Sequence, residues 1–169
     1  MPAAAGGESA PPLLPIGTLA EMFDWYRLNL CGKEIVDPRG YRVTFLDTDF
    51  VHLIKLLDKY GNEPKNRRMT IQQIQSGRVT LIPRRIDLGR AQELPWARSI
   101  IEKPTMIVPN WQVMGRANPG DAYIKNFGTG ERTIWRVLIC GHAGKKRWVV
   151  TIFPRERFAE REIASVLWP

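Results

Sequence analysis

A chain of 169 residues has room for one domain, or for one domain with short extensions, and its 44% hydrophobic and 25% charged content excludes wholesale disorder. No apolar run approaches the length that crosses a bilayer, so a membrane span is not expected. The 25 Lys and Arg outnumber the 17 Asp and Glu, and the excess is uneven: residues 1–60 hold 6 cations against 8 acids, residues 61–169 hold 19 against 9. A basic two-thirds joined to a mildly acidic third points to a polyanionic partner, nucleic acid foremost, with a merely solvated basic surface as the plain alternative.

Residues 1–16 are rich in Ala, Gly and Pro without a period and read as a flexible leader. They carry no Lys or Arg ahead of a short apolar patch, which makes a poor secretory signal. From Gly17 to Leu30, Leu19, Met22, Phe23, Tyr26 and Leu30 recur at helical spacing, with Thr18 and Glu21 as a capping box. The run KEIVDPRGYRVTFL is expected to form a hairpin turning at Pro38-Arg39-Gly40. Residues 17–46 thus read as an N-terminal helix and hairpin, and 47–169 as the main domain.

A second helix is expected from Asp49 to Tyr60, capped by Asp47 and Thr48. At 100° per residue, Phe50, Leu53, Ile54 and Leu57 share one side, while His52, Lys55 and Lys59 share the opposite arc. Asp47 and Asp49 are more economically capping residues than metal ligands. A polar loop, GNEPKNRRM, precedes a short helix in MTIQQIQSGRV that ends at Gly77. DLGRAQELPWARSIIEK is helical in pattern, and Pro95 either interrupts it or begins a second helix.

After Lys103 the chain changes character. PTMIVPNW, DAYIKNF, RTIWRVLIC and KRWVVTIF are β-branched and aromatic, separated by Gly-containing turns, and predict an antiparallel meander of about four strands. RERFAEREIASVLWP is expected to close the chain as a helix. Helices first and strands second is an α+β pattern.

Strand alternation makes a finer prediction. If the last turn is Gly141–Lys146, Arg136 stands across from Thr151, and Trp135, Val137, Ile139, Trp148, Val150 and Ile152 form the face that the helices cover. If Phe127 pairs with Arg132, Tyr123 lies opposite Arg136, and Lys125 is one pleat away. The resulting row of Tyr123, Arg136 and Thr151, on the uncovered face, suits a phosphate: a forked guanidinium, a point charge and two hydroxyls. The plain reading of the same row is cations lying over an apolar sheet with their heads in water.

The helix with FVHLIKL, the PTMIVP segment leading into the sheet, the YIKNF strand and the hairpin TIWRVLICG…KRWVVTIFP together resemble the superfamily of small ribonucleases that includes barnase, EndoU, the colicin tRNases and RelE (the BECR fold), and within it the phage-associated nuclease domains. The likeness spans roughly residues 45–155. It implies metal-independent endoribonuclease activity, in which the ribose 2′-OH attacks the adjacent phosphate, with RNA, tRNA among the candidates, as substrate and an acidic inhibitor or immunity protein as a candidate partner. Carried over by position, His52 would transfer a proton, Arg136 with Lys125 would bind the phosphate, and Thr151 and Tyr123 would position it. Members of the group often have a second histidine near the first. Here none is present, so Lys55 or Tyr123 substitutes, or the acid–base role is weakened or lost.

A lone histidine is more often structural than catalytic, but His52 lies on the polar arc between two ammonium groups that favour its neutral form. Lys55 and Lys59 beside it count as nucleic-acid contacts. His142, in a Gly-His-Ala-Gly turn, reads as a turn residue or an RNA contact. Lys145-Lys146-Arg147 beside Trp148 either tracks a nucleic-acid backbone or solubilises a turn. GTGER joins two strands and is a hairpin turn, not a phosphate loop. Cys31 and Cys140 lack CxxC or histidine spacing, which argues against a disulfide scaffold or zinc site and fits a reducing, cytoplasmic setting. No metal or cofactor is expected. The rival function is a non-catalytic nucleic-acid-binding or phage-assembly module that uses the same basic sheet.

Overall fold

The structure is a computed structural model that describes residues 8–111, 120–129 and 132–156. Its first helix, α1 (Leu19–Asn29), begins as the capping box requires. Thr18 Oγ1 accepts from the Glu21 N–H at 3.1 Å, and Glu21 accepts from the Thr18 N–H at 3.3 Å. Its apolar stripe, Leu19, Met22, Phe23 and Tyr26, is buried. A hairpin follows, β1 (Ile35–Val36) and β2 (Arg42–Thr44). Its turn is drawn by Asp37, whose Oδ1 accepts from the N–H groups of Arg39 and Tyr41, and by Gly40, whose φ of 90° a side chain would resist.

The helix expected over 49–60 is much shorter. Helix α2 (Asp49–Leu53) stops because Lys55 takes a left-handed φ of 51° and the Asp58 side chain starts a turn of its own. Helix α3 (Arg67–Gln75) is capped by the Asn66 side chain, which accepts from the Met69 N–H. A 3-10 turn at Pro83–Arg85 leads to α4 (Leu88–Gln92) and α5 (Trp96–Glu102), with Pro95 capping the start of α5. Then come β3 (Met106–Trp111), β4 (Gly120–Asn126), β5 (Trp135–Ala143) and β6 (Lys146–Arg155). The C-terminal helix expected beyond them lies outside the described residues.

The α+β class is correct, but the expected four-stranded antiparallel sheet is not. The six strands of the described residues form one curled, mixed sheet in the order β1-β2-β6-β5-β4-β3. β2 runs parallel to β6, pairing Arg42 with Lys146 and Thr44 with Trp148. The early hairpin is thus an extension of the late meander, bonded to its last strand. Residues 8–16 are also held: the Leu14 N–H donates to the Gln92 carbonyl at 2.8 Å, and the Trp96 indole donates to the Pro11 carbonyl at 2.7 Å.

The sheet has two apolar sides. On one, Tyr123, Leu138, Cys140 and Val149 join the helices in the main core, around an aromatic nucleus of Phe23, Tyr26 and Phe50 with ring centroids 5.2 and 5.3 Å from Phe50. On the other, Met106, Val108, Trp111, Ala122, Ile124, Trp135, Val137 and Ile139 make a second cluster. The expected coverage is therefore inverted. The helices pack on the side that bears Tyr123, and Trp135, Val137 and Ile139 belong to the opposite cluster. No described helix is long and apolar enough to cross a membrane.

Candidate functional site

The register decides which of the expected residues meet. The β5–β6 turn is tighter than expected, centred on Gly144 and Lys145, and a bulge falls between Ile139 and Cys140. Together they shift the pairing, so Arg136 faces Pro154 and Thr151 faces Ile139. Thr151, buried, consequently lies on the sheet side away from Arg136. β4 is slipped by two residues relative to the expected register: Lys125 faces Arg136, and Tyr123 faces Leu138. A slip of two preserves the side, so Tyr123, Lys125 and Arg136 still share it.

That shared side is the one under the helices, and each of its polar groups is engaged. Arg136 makes a forked pair with Glu93, Nε to Oε2 at 2.6 Å and an NH2 group to Oε1 at 2.7 Å, with its guanidinium 5.3 Å from the Trp96 ring centre. Lys125 is 3% exposed, and its Nζ donates to the Lys103 carbonyl at 2.7 Å and to Glu8 at 3.1 Å. Tyr123 is fully buried, donates to Asp37 Oδ2 at 2.7 Å and accepts from Arg39 at 3.1 Å. Burial, with Cys140 and Asp37 adding to it, holds the Tyr123 phenol well above its ordinary pKa, so it stays protonated near neutrality. None of these three presents an unengaged charge or hydroxyl to solvent.

Removing one member of such a pair is costly. Glu93→Ala is expected to lower stability by about 2–3 kcal/mol, below the usual loss for a fully buried pair because some solvent reaches both side chains. A shift of the urea midpoint at unchanged slope is the measurement.

His52 sits on α2, partly exposed, with Nδ1 3.1 and 3.2 Å from the two Glu63 oxygens. Glu63 in turn accepts from Arg67 at 2.9 Å. Among the described residues no hydrogen bond or ion pair joins His52 to Tyr123, Lys125, Arg136 or Thr151. Because α2 ends at Leu53, Lys55 and Lys59 do not share a helical arc with His52, and they belong to the irregular segment after it. Both are exposed.

The C-terminal hairpin separates its cations. Lys145 and Lys146 are exposed. Arg147 points inward, 6% exposed, donating to the carbonyls of Gly144 and Lys146, with its guanidinium 4.2 Å from the Tyr41 ring centre. Its Nε lies 3.3 Å from Asp121 Oδ2, an ion pair without hydrogen-bond alignment. His142, across from Arg147, brings Nε2 to 3.9 Å from Asp121 Oδ1.

These contacts belong to a cluster that sequence reasoning missed in part. Asp37, Arg39, Tyr41 and Asp121 meet Tyr123, Arg147 and His142, with Arg39 bridging Asp37 at 2.8 Å and Asp121 at 3.3 Å. Two carboxylates and two guanidiniums neutralise one another there, and they tie the β1–β2 turn to β4 and β6. The one local signal was Asp37, at the start of a Pro-Arg-Gly turn; nothing in the order of residues links it to Asp121.

A different surface keeps its charge. Residues 55–85 hold eight Lys or Arg against two acids. Of these, Lys55, Lys59, Lys65, Arg68, Arg78 and Arg84 are exposed and make no salt bridge among the described residues. Lys59, Arg78 and Arg85 line a groove of about 470 Å³ with Asp58, Thr70 and Gln73. Among the described residues no group of three or more His, Cys, Asp or Glu gathers as a metal site. Both thiols are free and protonated: burial lifts Cys31 to about 11 and Cys140 well above its ordinary value.

In comparisons with protein-family models, curated proteins and solved structures, the chain matches none of them.

Proposed function

We propose that the protein is a nucleic-acid-binding module whose contact surface is the basic face of residues 55–85 rather than the sheet. The supporting observation is the contrast between the two sets of cations. Arg136, Lys125 and Arg147 of the sheet, with Arg39 of the first turn, are spent on Glu93, Glu8, Asp121 and Asp37. Of those in 55–85, Lys55, Lys59, Lys65, Arg68, Arg78 and Arg84 stand exposed without a salt bridge among the described residues, while Arg67 pairs with Glu63 and Asp58 bears on Lys59 and Arg85. Phosphates are the natural complement of such a face, because each contact releases condensed counterions.

Binding of a labelled oligonucleotide is therefore expected to weaken steeply as salt rises. The triple variant K59Q/R78Q/R85Q should reduce the slope of log affinity against log salt by about 2, at roughly 0.7 per lost phosphate contact for a single strand. Affinity that is indifferent to salt, or an unchanged slope in the triple variant, would remove the basis for this reading.

RNA cleavage by 2′-OH attack is a second reading, and one feature favours it. Glu63 engages His52 at Nδ1, an arrangement that fixes the tautomer and leaves Nε2 to accept a proton, beside the basic face. On this reading His52 is the base, and the cations of 55–85 stabilise the charged phosphorane. His52→Ala should then slow cleavage of an RNA by about 10²- to 10⁴-fold while leaving oligonucleotide binding within a few-fold of the parent. A parent protein that leaves RNA intact at concentrations where it binds would discard cleavage and keep binding.

A further inference from the structure

Among the described residues, Tyr60 is the most exposed of the large hydrophobic side chains, 76% exposed. It is not on a loose loop. Asp58 Oδ1 accepts from the N–H groups of Tyr60 at 2.8 Å and Asn62 at 3.0 Å, the Asp58 N–H donates to the Asn62 carbonyl, and the Gly61 N–H donates to the Asp58 carbonyl. Gly61 turns the chain at a φ of 81°. The Asn62 N–H, foremost among several causes, holds the Asp58 carboxyl below its ordinary range, so the carboxylate is ionised and occupied with the turn. The backbone beneath Tyr60 is braced while the ring stands in solvent, with the Lys59 Nζ 5.0 Å from its centre.

That same Lys59 lines the groove that Arg78 and Arg85 also make basic, and so links the ring to it. A braced exposed aromatic beside a basic groove is the combination that holds unpaired bases: cations track the backbone and the ring offers a face to stack on. A duplex hides its base faces in its own stack and cannot use such a ring. The groove also carries neutral polar groups. Gln73 makes no side-chain hydrogen bond among the described residues, and Thr70, which donates to the Asn66 carbonyl, still has acceptor capacity. A ribose 2′-OH, both donor and acceptor, is what such groups distinguish from deoxyribose.

We infer that the groove takes single-stranded RNA, with a base stacked on Tyr60 and the adjoining phosphates on Lys59, Arg78 and Arg85. This rests on the reading of residues 55–85 as the nucleic-acid surface.

The test is fluorescence anisotropy on the full chain with four probes: a single-stranded RNA of about 12 nucleotides, its DNA counterpart, the corresponding RNA duplex, and vesicles containing phosphatidylserine. RNA integrity is checked by gel. Single-stranded RNA should bind on the order of tenfold tighter than either other nucleic acid. Tyr60→Ala should lose on the order of tenfold, and Tyr60→Trp should retain affinity. Because Y60A removes no charge, its salt slope should equal the parent's, and its thermal midpoint should be unchanged for so exposed a residue.

Equal affinity for duplex, or a harmless Y60A, would overturn the stacking inference and leave the basic face intact as a binding surface. Equal affinity for DNA would overturn the assignment to RNA. Vesicle binding that matches RNA binding and is lost in K59Q/R78Q/R85Q would overturn it in favour of a membrane surface. Absence of binding to every nucleic acid at low salt would overturn both this inference and the reading beneath it.

Discussion

Replacing Asp37 by alanine is expected to destabilise the protein by about 3–5 kcal/mol, the range for removing one partner of a buried charge pair. The Asp37 side chain has no exposure. Its two oxygens accept from the N–H groups of Arg39 and Tyr41, from the Arg39 guanidinium and from the Tyr123 hydroxyl. The substitution therefore undoes the β1–β2 turn and leaves a buried phenol and a partly buried guanidinium short of acceptors. Asn at this position keeps one acceptor for the turn and should cost less. Urea denaturation reads both, and a loss under about 1 kcal/mol for the alanine variant would show that the cluster contributes little net energy.

Phe50→Ala should be comparably damaging, about 3–5 kcal/mol, for a different reason. Phe50 is fully buried, with its ring set edge-on to Phe23 and tilted against Tyr26. Truncation empties the centre of the helical layer, and neighbours fixed by α1 can close the void only in part. Helix α2 has five residues and little intrinsic stability, so Phe50, Val51 and Leu53 are what hold it in place. The same helix presents His52 to Glu63. A further expected result is that F50A loosens this arrangement, which would register as a change in the His52 imidazole resonances of the folded fraction. Phe50→Leu, which restores most of the volume, should recover much of the stability.

Local chemistry was legible wherever a few neighbouring residues decide the outcome. Thr18 and Glu21 announced α1, Pro38-Arg39-Gly40 announced the hairpin, and β-branched runs announced the late strands. What failed was non-local. β5 reads Trp135-Arg136-Val137-Leu138-Ile139-Cys140, apolar on both sides except for one arginine, so alternation could not say which side the helices would take. A bulge at Ile139 and a two-residue turn at Gly144 each displace the register, and together they moved Thr151 away from Arg136. The carboxylates that engage Arg136, Lys125 and Tyr123 belong to Glu93, Glu8 and Asp37, far off in sequence, and no spacing rule connects them. The basic excess in the later two-thirds was visible from composition. That it survives as exposed charge mainly over 55–85 required knowing which cations fold inward.

The parallel contact between β2 and β6 has a consequence for how the chain reaches its fold. Arg42 emerges from synthesis roughly a hundred residues before Lys146, its partner, so the first hairpin must persist as an unpaired edge until the last strand exists. Closing that long loop costs entropy before any bond rewards it, which makes completion of the sheet a late event. A nascent chain halted ahead of Lys146 would expose the rim of β2 and the unpaired edge of β5, an assembly intermediate suited to capture by a chaperone.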